Sequence, residues 1–284
     1  MICGAGKGSW EMRGIQLGAA MGARVTSSPT DEDFRWCDLV ILVKKHAPTF
    51  APRAHKHGKP IVWDALDFWS QPAHNSYNEA AAKNALQAQI RFIKPALTIG
   101  ATQAMTSAIE SFGYKGAYLP HHSWAGLAPT PPREHVSVVA YEGNPAYLGR
   151  WHGWISEACR KRGWEFAVNP PDLSKADILV AFRDGPWDGW ICREWKSGVK
   201  VVNAIAAGRP LISQGSAAVR ELQPVGAVID MPTVLDDELD YFASPSNRIL
   251  PAQCGRDQAP LYTLEAVAAR YIDILSTVEA PCTA

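Results

Sequence analysis

Residues 196–221, KSGVKVVNAIAAGRPLISQGSAAVRE, place cations, glycines and a helix start at spacings that suit a phosphate site. Lys196 and Lys200 stand four apart, so a helix over 196–207 would carry both on one face. Gly208 would end that helix, and 210–213 would follow as a strand. The polar loop SQG then leads through Gly215 into Ser216, Ala217 and Ala218 at the start of another helix. The first backbone N–H groups of a helix have no partner within it and aim at whatever lies beyond. Arg183 follows the apolar run 178–182, so its guanidinium is expected at the same sheet edge. Two or three cations with a helix end could grip a diphosphate and stabilise the charge it gains on leaving. The plainer alternative makes Gly208 a helix cap and the lysines a solvated face.

The amino half offers a second set. GAGKGSW, residues 4–10, holds Gly6 and Lys7 in a Gly-rich turn between a strand and a helix. It is neither a Walker A loop nor a full dinucleotide fingerprint, since the G-K-[ST] order is absent and Trp10 stands near the place of a small residue. It reads as a phosphate-touching loop or as a tight turn. WDALDFW, residues 63–69, follows a buried strand at 60–63, which puts Asp64 and Asp67 near the strand's carboxyl end. A carboxylate there could deprotonate or orient an acceptor hydroxyl, and Asp67 is the preferred one; otherwise the pair caps the next helix. Lys44, Lys45 and His46 end another strand on that side, and His121 and His122 follow a third. Trp187, Trp190 and Trp195 crowd the loop between Arg183 and Lys196, where they could stack on a sugar or base or plug the core.

These residues need a scaffold, and the chain spells one. Its 284 residues, 47% apolar and 20% charged, suffice for two packed domains. Short apolar runs at 39–43, 60–63, 97–99, 136–140, 178–182 and 210–213 alternate with helical spacings at 11–21, 78–93, 102–112 and 148–162. Alternating strand and helix with short connections predicts doubly wound parallel sheets. The Pro- and Gly-rich stretch at 123–134 marks the boundary. The expected domains are 1–130 and 131–260, with a terminal helix over 261–284 able to pack back on the first.

No run of eighteen apolar residues predicts a membrane span, and MICGAGKGSW does not read as a signal peptide, so a cytoplasmic protein is expected. The six cysteines form no close pair, which argues against a zinc or redox site. Net charge is zero, but residues 1–130 carry 13 Lys and Arg against 9 Asp and Glu. Much of that excess lies in 44–59, KKHAPTFAPRAHKHGK, which reads as a solvated helix or as a surface for an acidic acceptor.

The stretch NAIAAGRPLI, residues 203–212, with Glu221 beyond it, resembles the donor-binding half of GT-B glycosyltransferases. The likeness is to the large retaining family of sucrose and glycogen synthases and many mannosyltransferases. That family shows Glu, seven residues, then Glu-Ala-Met-Ala-x-Gly-x-Pro-Val-Ile and a later Glu. Asn203 stands at the second Glu and Trp195 at the first, while Lys200 fits a variant with Lys ahead of Asn-Ala-x-Ala-x-Gly. The resemblance is specific over 178–222. It implies an α/β protein of two doubly wound Rossmann-like domains facing a cleft. It also implies transfer of a sugar from a UDP- or GDP-sugar to an acceptor hydroxyl, with no cofactor and no metal. Asp67, Lys196 and Lys200 would be the catalytic residues. Gly6, Lys7, Arg183, Asn203, Gly215, Ser216, Ala217 and Glu221 would hold the donor. The acceptor is left open between DNA, as in phage-type DNA-modifying enzymes of the host cytoplasm, and a phosphate-bearing glycan or lipid. A nucleotide-sugar epimerase and a non-catalytic nucleotide-sugar-binding module are the alternatives.

Overall fold

The computed structural model describes residues 1–6, 8–67 and 78–278. Lys7, named above as a phosphate contact, lies outside them. The chain divides into two compact units. Unit 1 comprises Met1–His122, Glu194–Ser197 and Leu264–Ala284; unit 2 comprises Ser123–Arg193 and Gly198–Thr263.

Unit 1 carries six parallel strands: β1 (Ile2–Cys3), β2 (Val25–Thr26), β3 (Val40–Val43), β4 (Ile61–Leu66), β5 (Leu97–Gly100) and β6 (Gly116–Tyr118). Their spatial order is β2-β1-β3-β4-β5-β6. Every residue of β3 and β4 is buried, as expected of strands covered on both faces. Ile2, Ile41, Val43, Val62 and Ile99 pack against Trp10 and Leu17 and against Val267, Ala268 and Tyr271 of the terminal helix Leu264–Ser276.

Asp64 turns out to be an interior strand residue, fully buried, rather than a group at the sheet edge. It lies 3.7 Å from Arg13 and accepts a hydrogen bond from the Tyr271 hydroxyl at 3.3 Å. Burial raises its carboxyl above the usual range, against the opposing pull of Arg13.

Unit 2 carries β7 (Val138–Tyr141), β8 (Glu165–Val168), β9 (Ile178–Ala181), β10 (Leu211–Ser213) and β11 (Gly226–Val228), all parallel, in the order β11-β10-β9-β7-β8. Period-two alternation splits its core. Val139, Tyr141, Ile178, Val180 and Ile212 face Trp151, Ile155, Leu239 and Phe242. Ala140, Leu179 and Leu211 face Val201, Val202, Ile205 and Tyr262.

The helix expected over 196–207 spans only Val199–Ala207, with Gly198 as its N-cap. Lys196 therefore does not share a helix face with Lys200; it belongs to the segment Glu194–Ser197 of unit 1. Gly208 is the C-cap, in the left-handed region at φ 64. A Cβ there would come within 2.9 Å of Pro129 and 3.1 Å of the Ala252 backbone. Gly208→Ala is expected to cost about 2–3 kcal/mol through backbone strain and overlap. Urea denaturation measures it; a loss below about 0.5 kcal/mol would show that the cap relaxes freely.

Candidate functional site

In both units the first strand lies between the second and third, so the direction of winding reverses at β1/β3 and at β7/β9. Doubly wound sheets bind ligands at such switch points, outside the carboxyl ends of the strands. The side chains gathered at each point define one candidate site in each unit.

In unit 2, Glu142 and Gly143 follow β7, while Phe182 and Arg183 follow β9. The Arg183 backbone N–H donates to Gln214 Oε1 at 2.7 Å, which ties the loop after β9 to the loop after β10. The Arg183 guanidinium lies 5.0 Å from the centre of the Tyr147 ring, and Tyr147 packs on Trp187 at 4.6 Å. Among the described residues no carboxylate pairs with Arg183. Lys200, on the first turn of its helix, sets its Nζ 3.8 Å from the Tyr141 ring centre. That helix runs back toward β10, so its start lies at the same edge as the strand ends. Ser216 caps the helix Ala217–Leu222, accepting from the Val219 N–H at 3.3 Å, and Gly215 precedes it.

Arg183, Lys200, Gly215, Ser216 and Ala217 thus stand at one sheet edge. Glu221 sits farther along its helix, half-buried. Asn203 is fully buried; its Oδ1 accepts from the Trp124 N–H at 2.9 Å and its Nδ2 donates to Glu142 Oε2 at 2.7 Å. With both ends of its amide engaged inside unit 2, it acts as a brace for Glu142.

Glu142 escaped sequence reasoning. Its signal was an acid two residues after the apolar run at 136–140. Burial raises its carboxyl above the usual range, while Asn203 and then Lys200 pull it down. Tyr147 and Gln214 were missed as well, because nothing local marks an aromatic or an amide in a loop as a partner of Arg183.

In unit 1, Asp67 directly follows β4 and is buried. Lys44 Nζ lies 2.6 Å from its Oδ1, and Lys196 Nζ bonds its Oδ2. Burial alone would raise the Asp67 carboxyl, but Lys196 and then Lys44 outweigh it and hold the group well below the usual carboxylate range. A carboxylate so acidic is a weak base at neutral pH. It pairs with two ammonium groups at once.

Ala5, Gly6, Ser9 and Trp10, after β1, and the run from Val43 to His46 line an open cavity of about 160 Å³. His121 and His122 are buried nearby in sequence to β6, and His122 Nε2 lies 3.2 Å from the Met12 carbonyl. Trp195 is buried in unit 1, a core plug.

The basic run 44–59 does not form one surface. Lys44–His46 sits at the carboxyl end of β3, and the helix Ala47–Lys56 then carries the chain about 15 Å back along the sheet. At its far end Arg53, Lys56 and His57 converge on Asp31 at 2.7, 3.5 and 3.5 Å.

No family model and no curated protein sequence matches this chain. Solved structures do. The GtfA/B complex matches over 90% of this chain and 62% of its own, at 12% identity and a TM-score of 0.57. TarM matches over 84% and 55%, at 11% identity and a TM-score of 0.55. A glycosyltransferase from Rickettsia africae ESF-5 matches over 98% and 97%, at 9% identity and a TM-score of 0.57. The chain has the GT-B fold. It spans 62% and 55% of the GtfA/B and TarM chains, and nearly all of the Rickettsia one.

Among the described residues no group of three His, Cys, Asp or Glu gathers as a metal would need, and no helix is long and apolar enough to cross a membrane.

Proposed function

We propose that this protein is a glycosyltransferase that moves a sugar from a nucleoside diphosphate sugar to an acceptor hydroxyl. The observation that carries the reading is the edge of unit 2. There Arg183 lies over Tyr147, Lys200 lies over Tyr141, and a Ser216-capped helix opens after β10. These groups supply positive potential where a leaving diphosphate gains charge, with no proton transfer required. Gly215 leads into the helix start, where Ala217 is buried. Glu142, braced by Asn203, stands beside them as a carboxylate for a ribose or sugar hydroxyl. Lys196 and Asp67 serve the acceptor side in unit 1, Asp67 aligning Lys196 and Lys44. In this reading the cations come from side chains and the reaction is metal-independent.

The donor base in this reading is uracil. Two GT-B structures similar to this chain, each with a TM-score of 0.56, were solved with uridine nucleotides: a mutant of S. aureus TarM with UDP, and an E. coli trehalose-6-phosphate protein with UDP-2-fluoro glucose. The protein is read as working in the cytoplasm.

Thermal-shift measurement against UDP, GDP and NAD tests the class. UDP at a hundredfold excess over its Kd is expected to stabilise by about 2.7 kcal/mol, with no shift from NAD. Lys200→Ala is expected to reduce UDP-sugar turnover about 10- to 100-fold. A non-catalytic sugar-nucleotide binder would keep the UDP shift and show no turnover in either form. A shift with NAD alone would remove the reading.

A further inference from the structure

The cavity at the switch point of unit 1 is small. Its volume of about 160 Å³ falls below the about 300 Å³ at which ligand pockets for drug-sized molecules start. It is a place for one compact group. Its polar lining consists of Ser9, Lys44, Lys45 and His46, and among the described lining residues there is no carboxylate.

Of these polar groups, Lys44 is the one whose side chain and backbone are both fixed. Lys44 Nζ is fixed by Ser9 Oγ at 3.2 Å and by Asp67. The Lys44 backbone is in the left-handed region at φ 55, unusual for a residue with a side chain. The buried Trp63 indole N–H holds its carbonyl at 3.1 Å. Strain that neighbours over-determine in this way gathers at ligand sites. His46 Nε2 is buried and has no hydrogen-bond partner among the described residues, an unmet polar atom in the wall of a polar cavity. Lys45 is exposed at the mouth. Gly4 and Gly14 admit the Trp10 ring that closes one wall, since a Cβ on either would meet it within 2.5 Å.

We propose that this cavity is a phosphate subsite through which unit 1 selects an acceptor bearing one phosphate group. Calling the ligand an acceptor rests on the glycosyl-transfer reading above; the phosphate site itself does not. A phosphate has five heavy atoms, fits the volume, and offers oxygens to the hydroxyl, the ammonium of Lys45 and the imidazole at once. A polyanion such as duplex DNA would need a continuous basic face. The basic run instead splits, with Arg53 and Lys56 drawn to Asp31 at the far end of their helix.

The test is calorimetric titration of the whole protein with inorganic phosphate, glycerol phosphate, glycerol, UDP and duplex DNA. Phosphate and glycerol phosphate are expected to bind and glycerol is not. Lys45→Gln and His46→Gln together are expected to weaken phosphate binding about 10- to 100-fold while leaving UDP affinity within about twofold. Circular dichroism confirms that the variant is folded; the single variants, each expected to show part of the loss, serve if the double variant is not.

Absence of phosphate binding to the wild type overturns the proposal, as does binding that the variants leave unchanged. An equal loss of UDP affinity overturns it too and assigns the cavity to the donor diphosphate. Tight, salt-sensitive DNA binding lost in the variants overturns it in favour of a polyanion. Variant-sensitive phosphate binding with no UDP binding and no transfer sustains the subsite and removes the glycosyltransferase reading instead.

Discussion

Asp67→Asn is expected to destabilise unit 1 by about 3 kcal/mol and to lower transfer activity by at least about 100-fold. The carboxylate is 4% exposed and is the shared counter-ion of Lys44 and Lys196. Its neutral isostere leaves two ammonium groups facing one another with no negative charge between them. Breaking a buried ion pair costs about 3–5 kcal/mol; the low end applies because the two lysine side chains keep 14% and 23% of their exposure. Urea denaturation reads the stability loss, and kcat/KM with a UDP-sugar reads the activity.

The pH dependence gives an independent check. Asp67 has a folded pKa depressed below its unfolded value near 3.9, so its contribution is complete above that value and is lost as pH falls toward the folded pKa. The stability gap between wild type and Asp67→Asn should therefore be constant from pH 7 to about 5 and shrink steadily below about 4. A gap that stays constant down to pH 2 would mean that the carboxylate is not the charged partner of the two lysines.

Arg183→Ala carries the second large effect. The guanidinium stands at the end of β9 over Tyr147, half-buried. Its guanidinium stacks on Tyr147 and pairs with no carboxylate among the described residues. Loss of one pre-positioned donor to a developing anion costs about 10²- to 10³-fold in rate, and that is the expected fall in kcat/KM. Arg183→Lys should recover only part of it, because an ammonium lacks the planar fork and stacks poorly on Tyr147. Thermal stability should barely move, since the side chain makes no ion pair among the described residues and the Gln214 bond uses its backbone. A Tm drop of several degrees with unchanged kinetics would reassign Arg183 to structure.

Much of the fold could be read along the chain because its signals are local. Apolar runs at 39–43 and 178–182 became β3 and β9, and Asn78, Thr102 and Ser216 became helix N-caps with their side chains bonded as caps. Arg183 could be placed at a sheet edge since a residue after a buried parallel strand must emerge there. The helix Asp31–Trp36 was overlooked although Thr30 and Asp33 form a capping box. The helix Ile249–Gln258 was hidden by composition, since it contains Pro251 and Gly255. Only packing explains Gly255: a Cβ there would meet Gly208 at 2.7 Å, so two helices touch backbone to backbone.

By itself, then, the sequence determined most of the alternation of strand and helix, and which cations follow the strands. Periodicity and capping act within a few residues, and the amino-acid order contains them. Tertiary structure alone decided partnership. It parted Lys196 from Lys200 by a helix that starts at Val199, and it set Lys196 on Asp67 at a separation of 129 residues. It turned Asn203 inward to brace Glu142, and it split one basic run between two ends of a helix. Such pairings depend on which loops two distant strands bring to a common edge, and no spacing along the chain encodes that.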